Sequence, residues 1–166
     1  MGVEEWTGIL AAHLERLEAT LPSGNIPTDV AVAIQQTRGV GEMEEGGGRA
    51  VVHHGGAEGS WTVVFQPHGD LKPSCLHRTV SVLPVKSLEE ALGRLEEWKD
   101  YLQSVGVAGV GGETPEILER LARMGVSRIT TLDGLPWPPP WWHHDGSGPL
   151  RDMVRWADLE MDGWMG

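Results

Sequence analysis

The sequence predicts an α/β fold: a mixed, largely parallel sheet flanked by helices. Three observations predict it. From residue 78 onward, segments of strand and helix pattern alternate along the chain. Alternation at that spacing implies crossover connections and parallel neighbours. Two helical patterns and a hairpin pattern come first, so the sheet should be mixed. The third observation is compositional. The 166 residues are 40% hydrophobic and include eight tryptophans, enough apolar surface for a core within one domain over 1–166.

The elements follow in order. Glu4 to Thr20 carries Trp6, Leu10, Leu14 and Leu17 at three- and four-residue spacing, with Leu21 continuing the stripe, and reads as an amphipathic helix. The Pro22–Pro27 stretch ends it. A shorter helix is predicted from Thr28, its N-cap, to Gly39. Gly41 to Arg49 reads as a flexible linker. Ala50–His54 and Ser60–Gln66 read as strands around the turn GGAEG, and Arg78–Val85, rich in β-branched residues, as another strand. Ser87–Leu102 predicts a helix opened by a Ser87/Glu90 capping box. Val105–Val110 reads as a short buried strand. Thr114 caps the next helix, with Pro115 at its first position and Gly125 at its end. Glu116 with Arg120, and Glu119 with Arg123, are favourable pairs one turn apart. Val126–Leu132 reads as the next strand, and Pro149 opens a last helix after the loop 133–148.

Formal net charge is −11, from 24 acids against 13 bases. A phosphate backbone is repelled by such a chain, so nucleic acid is not the expected partner. Cys75 is the single cysteine, which excludes an internal disulfide and suits a reducing cytoplasm. No apolar run reaches the roughly 20 residues needed to span a bilayer. The acidic start MGVEEW lacks a signal-peptide pattern. A soluble cytoplasmic protein is expected.

The densest chemistry lies between Pro138 and Glu160. Trp141, Trp142, His143, His144 and Asp145 follow a triple proline, and a Gly/Ser hinge leads on toward the last helix. Bulky aromatics and titratable groups on a stiffened loop point to the wall of a site. His143, His144 and Asp145 fit an acid/base or substrate-contacting cluster. They equally fit a structural role, with a histidine bonded into the loop and Asp145 supporting a turn. Adjacent histidines lack the spacing of a metal site, so no metal is expected. His53 and His54 end a strand, one toward the core and one toward solvent. Cys75, just before His77 and Arg78, reads more readily as a small core residue than as a nucleophile. The glycine-rich run 106–112 lacks the spacing of a dinucleotide fingerprint.

Three blocks resemble the C-terminal part of acyl-CoA reductases of the bacterial luminescence type, long-chain fatty-aldehyde-forming enzymes of the aldehyde dehydrogenase superfamily. They are RTVSVLPVKSLEEAL at 78–92, YLQSVGVAG at 101–109, and GVSRITTLDG at 125–134. The last runs on through WWHHDG and LRDMVRWADLE. That last block is the most specific of the three. LERLEATLP at 14–22 is similar to the helix that follows the family's nucleophile. The resemblance implies a fold like the aldehyde dehydrogenase catalytic domain without its nucleotide-binding half. It also implies NADPH as cofactor and an acyl thioester as substrate. His77 and Arg78 match positions near the nicotinamide ribose. Trp141 and Trp142 fall at the substrate channel, and His143, His144 and Asp145 would position substrate or relay a proton. The family's catalytic cysteine lies before the matching helix, so the chain is expected to be a post-nucleophile portion, inactive alone. Its partner is then a missing N-terminal half or a second copy. Two rival readings are a protein-interaction module, and a small metal-dependent hydrolase built on His53, His54, His143, His144 or Asp145.

Overall fold

A computed structural model describes residues 2–55, 60–109, 111, 114–148, 153 and 155. Two helices come first, α1 (Val3–Thr20) and α2 (Thr28–Gly46). The strands β1 (Val51–Gly55), β2 (Trp61–Phe65) and β3 (Thr79–Val82) follow. Then come α3 (Leu88–Glu96), a 3₁₀ turn (Lys99–Tyr101), β4 (Ser104–Gly106), α4 (Thr114–Arg123) and β5 (Arg128–Thr130). The helix predicted from Pro149 lies, apart from Met153 and Arg155, outside the described residues, as does Val110.

The chain divides into two compact units, Met1–Glu90 and Ala91–Gly166. The first is built on β2. Its sequence WTVVF is buried at every position, which requires cover on both faces. Alternation sends Trp61, Val63 and Phe65 to one face, where they pack with Ala11, Leu10 and Leu14 of α1 and with Val82. Thr62 and Val64 face α2. Val63 is fully buried. β1 pairs antiparallel with β2, and β3 pairs parallel with it. The unit is therefore a helix, sheet, helix sandwich.

The guanidinium of Arg38 lies within that sandwich, 4% exposed. It donates to the Thr62 hydroxyl at 2.8 Å and to the Trp61 carbonyl at 2.9 Å. Burial pulls its pKa below the ordinary arginine value, while Glu42 and Cys75 act in the opposite sense.

α2 runs seven residues beyond the predicted stop at Gly39, through the segment expected to be a linker. Packing explains this. A Cβ on Gly41 would stand 2.7 Å from Val52 Cγ2, so glycine lets the helix press onto the sheet. The residues after it, Glu42 to Glu45, are good helix formers. The extension also places Glu45 to accept the Val52 amide at 3.1 Å and Glu44 to accept from Gln66 at 2.8 Å.

β3 stops at Val82, short of the predicted Val85. Pro84 has no amide to donate to a ladder. α3 stops at Glu96 instead of Leu102. The Ser87 hydroxyl accepts the Glu90 amide at 3.2 Å, as a capping box requires, but Glu90 returns to the Lys86 amide at 2.9 Å. Beyond Glu96 the bonds tighten to an i to i+3 pattern, as between Trp98 and Tyr101, whose rings lie 6.0 Å apart.

The second unit holds β4 and β5, parallel and joined through α4, a βαβ connection. Ile117, Leu121 and Val126 are buried, and α4 packs on β5. Of the predicted pairs on α4, Glu119 and Arg123 meet at 2.6 Å. The single largely parallel sheet that the alternation predicts is thus two sheets: β3 joins β2, not β4. Parallel pairing is present at β2–β3 and at β4–β5, so the α/β class stands.

Candidate functional site

Parallel strands joined by a helix leave a crevice beyond their carboxyl ends, where ligands of open α/β sheets bind. The second unit has one there, about 740 Å³ in volume. Val107 and Ala108 follow β4, Ile129 lies in β5, Leu132 follows it, and Leu118 comes from α4. The glycine-rich run enters the same wall. Gly109 and Gly111 hold φ of 74° and 56°, which side chains rarely adopt. Asp133 stands at the rim. A hydrogen bond from the Thr131 hydroxyl, with the amides of Asp133 and Gly134, holds its carboxyl below the ordinary value against an opposing desolvation.

At the amino ends of the same strands sits the His–His–Asp loop. His144 and Ser147 bridge antiparallel, with the Ser147 amide donating to the His144 carbonyl at 3.0 Å. Asp145 and Gly146 between them hold φ of 51° and 76°. Two positive φ values in a two-residue tip, in the sequence Asp-Gly, mark the primed turn that suits a hairpin. His144 Nδ1 donates to Asp145 Oδ2 at 2.9 Å. Gln103, just before β4, donates to Asp145 Oδ1 at 2.8 Å, and its Nε2 lies 3.4 Å from His144 Nε2. The Gln103 amide is the largest cause holding the Asp145 carboxyl below its ordinary value, with the neighbouring His144 adding to it. Trp142 packs on the His144 ring at 4.8 Å, and Arg128 lies 5.7 Å from the Trp142 ring. Arg128 is itself fixed by the carbonyls of Gly134 and Leu135.

The sequence groups five residues on this loop, and the structure brings three of them together: Trp142, His144 and Asp145. Trp141 is 75% exposed, and His143 is exposed as well. Gln103 and Arg128 were not singled out from the sequence. Both are remote from the loop along the chain, and no motif marks them.

The other candidates lie in the first unit. Leu76, His77 and Arg78 all hold positive φ, an unusual run for residues with side chains. Arg78 pairs with Glu18 at 2.5 Å and donates to the Leu21 carbonyl at 2.7 Å. It clasps the end of α1, and in this arrangement its charge is met by a carboxylate instead of being offered to a phosphate. His77 beside it is half-buried. Cys75 is half-buried, and its sulfur accepts from the Thr37 hydroxyl at 3.8 Å. His53 approaches Thr7 of α1 at 3.5 Å, while His54 approaches Glu42 of α2 at 3.4 Å, on opposite faces of β1. Among the described residues, no three His, Cys, Asp or Glu side chains converge as a metal site. Among them too, no helix is long and apolar enough to cross a membrane.

The molecule is thus an α/β protein whose second unit carries a ligand-sized apolar crevice and a buttressed His–Asp pair on one small parallel sheet. The sequence matches the model of the acyl-CoA reductase (LuxC) family over residues 1–156, and the chain belongs to that family. No curated protein matches the chain in sequence.

Proposed function

We propose that this chain supplies the acyl side of an NADPH-dependent reductase that converts a fatty acyl thioester to an aldehyde. The family match over residues 1–156 carries this reading. The crevice supports it. Its volume of about 740 Å³ falls within the range of roughly 300–1,000 Å³ usual for small-molecule sites. Its walls at Val107, Leu118, Ile129 and Leu132 match an alkyl chain, which gains from leaving water in proportion to the apolar area covered.

The thioester end belongs, on this reading, with the polar hairpin. β5 spans three residues, roughly 10 Å, so an extended acyl chain in the crevice can reach along the strand toward it. There His144, with Nδ1 held by Asp145, presents Nε2 as the proton-handling atom. Trp142 packs on the imidazole and fixes its plane. Trp141 stands outside as a rim residue. His143 is assigned no step.

The family's chemistry forms an acyl-enzyme on a cysteine thiolate. Cys75 lies in the first unit, bonded to Thr37, and is not given that role. Arg78 is paired with Glu18, so on this reading the main NADPH cradle is assigned to residues outside this chain, with His77 and Arg78 at most at its edge. The chain by itself should therefore not oxidise NADPH in response to acyl-CoA.

Calorimetric titration with a non-hydrolysable acyl-CoA thioether tests the reading. Binding is expected to strengthen with acyl length and to be lost in Leu118→Glu, a half-exposed position whose change should leave the fold intact. Binding that ignores chain length, or that survives Leu118→Glu, would refute the crevice. Acyl-CoA-dependent NADPH oxidation by the chain alone would refute the assignment of nucleophile and cofactor elsewhere.

A further inference from the structure

We propose that Gln103 is a positioning residue that holds His144 in a single tautomer, Nδ1 protonated and Nε2 free to accept. The inference rests on the role given above to the hairpin, and its test needs no substrate. A glutamine amide carries two N–H groups. One reaches Asp145 Oδ1 at 2.8 Å. The same nitrogen lies 3.4 Å from His144 Nε2. The amide orientation is fixed by chemistry, since its oxygen facing the Asp145 carboxylate would set two acceptors against each other.

The consequences for the imidazole follow. Asp145 Oδ2 is an acceptor, so Nδ1 at 2.9 Å must carry the proton. The Gln103 nitrogen is a donor, so Nε2 facing it must hold a lone pair when the ring is neutral. Both ring nitrogens are thus read by one side chain, directly at Nε2 and through Asp145 at Nδ1. At 3.4 Å the contact with Nε2 is at the long end for a hydrogen bond. It aims the lone pair without occupying it strongly, so a proton-bearing substrate group can displace it. Packing of Trp142 on the ring keeps the imidazole from turning away.

Ring-nitrogen NMR of the whole chain, with His144 assigned by mutation and its ring neutral, reads the tautomer directly. The wild type is expected to show a protonated Nδ1 and an unprotonated Nε2. Gln103→Leu frees Asp145 Oδ1 and the face of Nε2 together and should weaken that preference, with the Nε2-protonated form becoming detectable. Gln103→Glu places an acceptor opposite Nε2 and should drive a proton onto it, seen directly in the same spectra. Amide shifts outside residues 102–104 and 142–147 should stay unchanged, which separates positioning from unfolding. A wild-type His144 protonated at Nε2 overturns the proposal without any variant. So does a tautomer unchanged in Gln103→Leu. Failure of acyl binding leaves these readouts untouched, so the two ideas fail separately.

Discussion

Single side chains decide the local energetics, and opposing terms can be weighed at two of them. Gly41→Ala would gain helix propensity, about 0.5–1 kcal/mol. Against this, its methyl would stand 2.7 Å from a stiff valine of β1, and overpacking costs typically about 1–3 kcal/mol. The clash should win, and urea denaturation should show net destabilisation; a stabilised variant would mean that α2 does not press on the sheet. Arg38→Leu removes the donor serving the Thr62 hydroxyl and the Trp61 carbonyl. Leaving buried acceptors short costs about 1–3 kcal/mol, so the denaturation midpoint should fall. Asp145 gives the pH test. Its folded pKa lies below its ordinary value, so its contribution is full above that value and is lost only as pH falls through the lower, folded one. The Gln103 side-chain amide resonance should move at a pH below the ordinary carboxylate value. Movement centred on the ordinary value would show that the Gln103–Asp145 bond is not formed in solution.

Elements differ in how plainly the sequence announces them. α1 matches its apolar stripe nearly end to end, and β1 and β2 fall within a residue or two of the runs around the turn GGAEG that predict them. Local pattern suffices there because each element buries a regular face. It fails at α2, where glycines at 39 and 41 look like breakers. The reason for Gly41 is the sheet it meets, which no local window contains. It fails again beyond Glu96, where Trp98 and Tyr101 continue a helical spacing but wind more tightly. In the site, the residues on one loop were legible as a group because they are contiguous. Gln103 and Arg128 were not, because parallel pairing of β4 with β5 alone brings them to the loop. α4 should depend on its two buried residues. Leu121→Ala, at a fully buried position, is expected to cost about 2–5 kcal/mol. Amide exchange should then quicken in β4, α4 and β5. No change there would mean that α4 does not seal the second unit.

At the scale of the whole molecule, strand and helix alternate as a single doubly connected sheet would require, yet the pairing yields two small sheets in two compact units. Alternation in sequence fixes which segments are strands, while partner choice is set by distant contacts such as β2 with β3. On the proposed reading, function is divided in a corresponding way. The first unit engages two arginines structurally: Arg78 holds α1, and Arg38 ties α2 to the sheet. The second unit carries the crevice and the His–Asp hairpin. The most direct measurement of this division is photoaffinity labelling of the chain with an acyl-CoA analogue bearing a diazirine in its alkyl tail, followed by peptide mapping. Adducts on Val107, Leu118, Ile129 or Leu132, competed away by unlabelled acyl-CoA, are the expected result. Competed adducts confined to residues 2–90 would contradict the account.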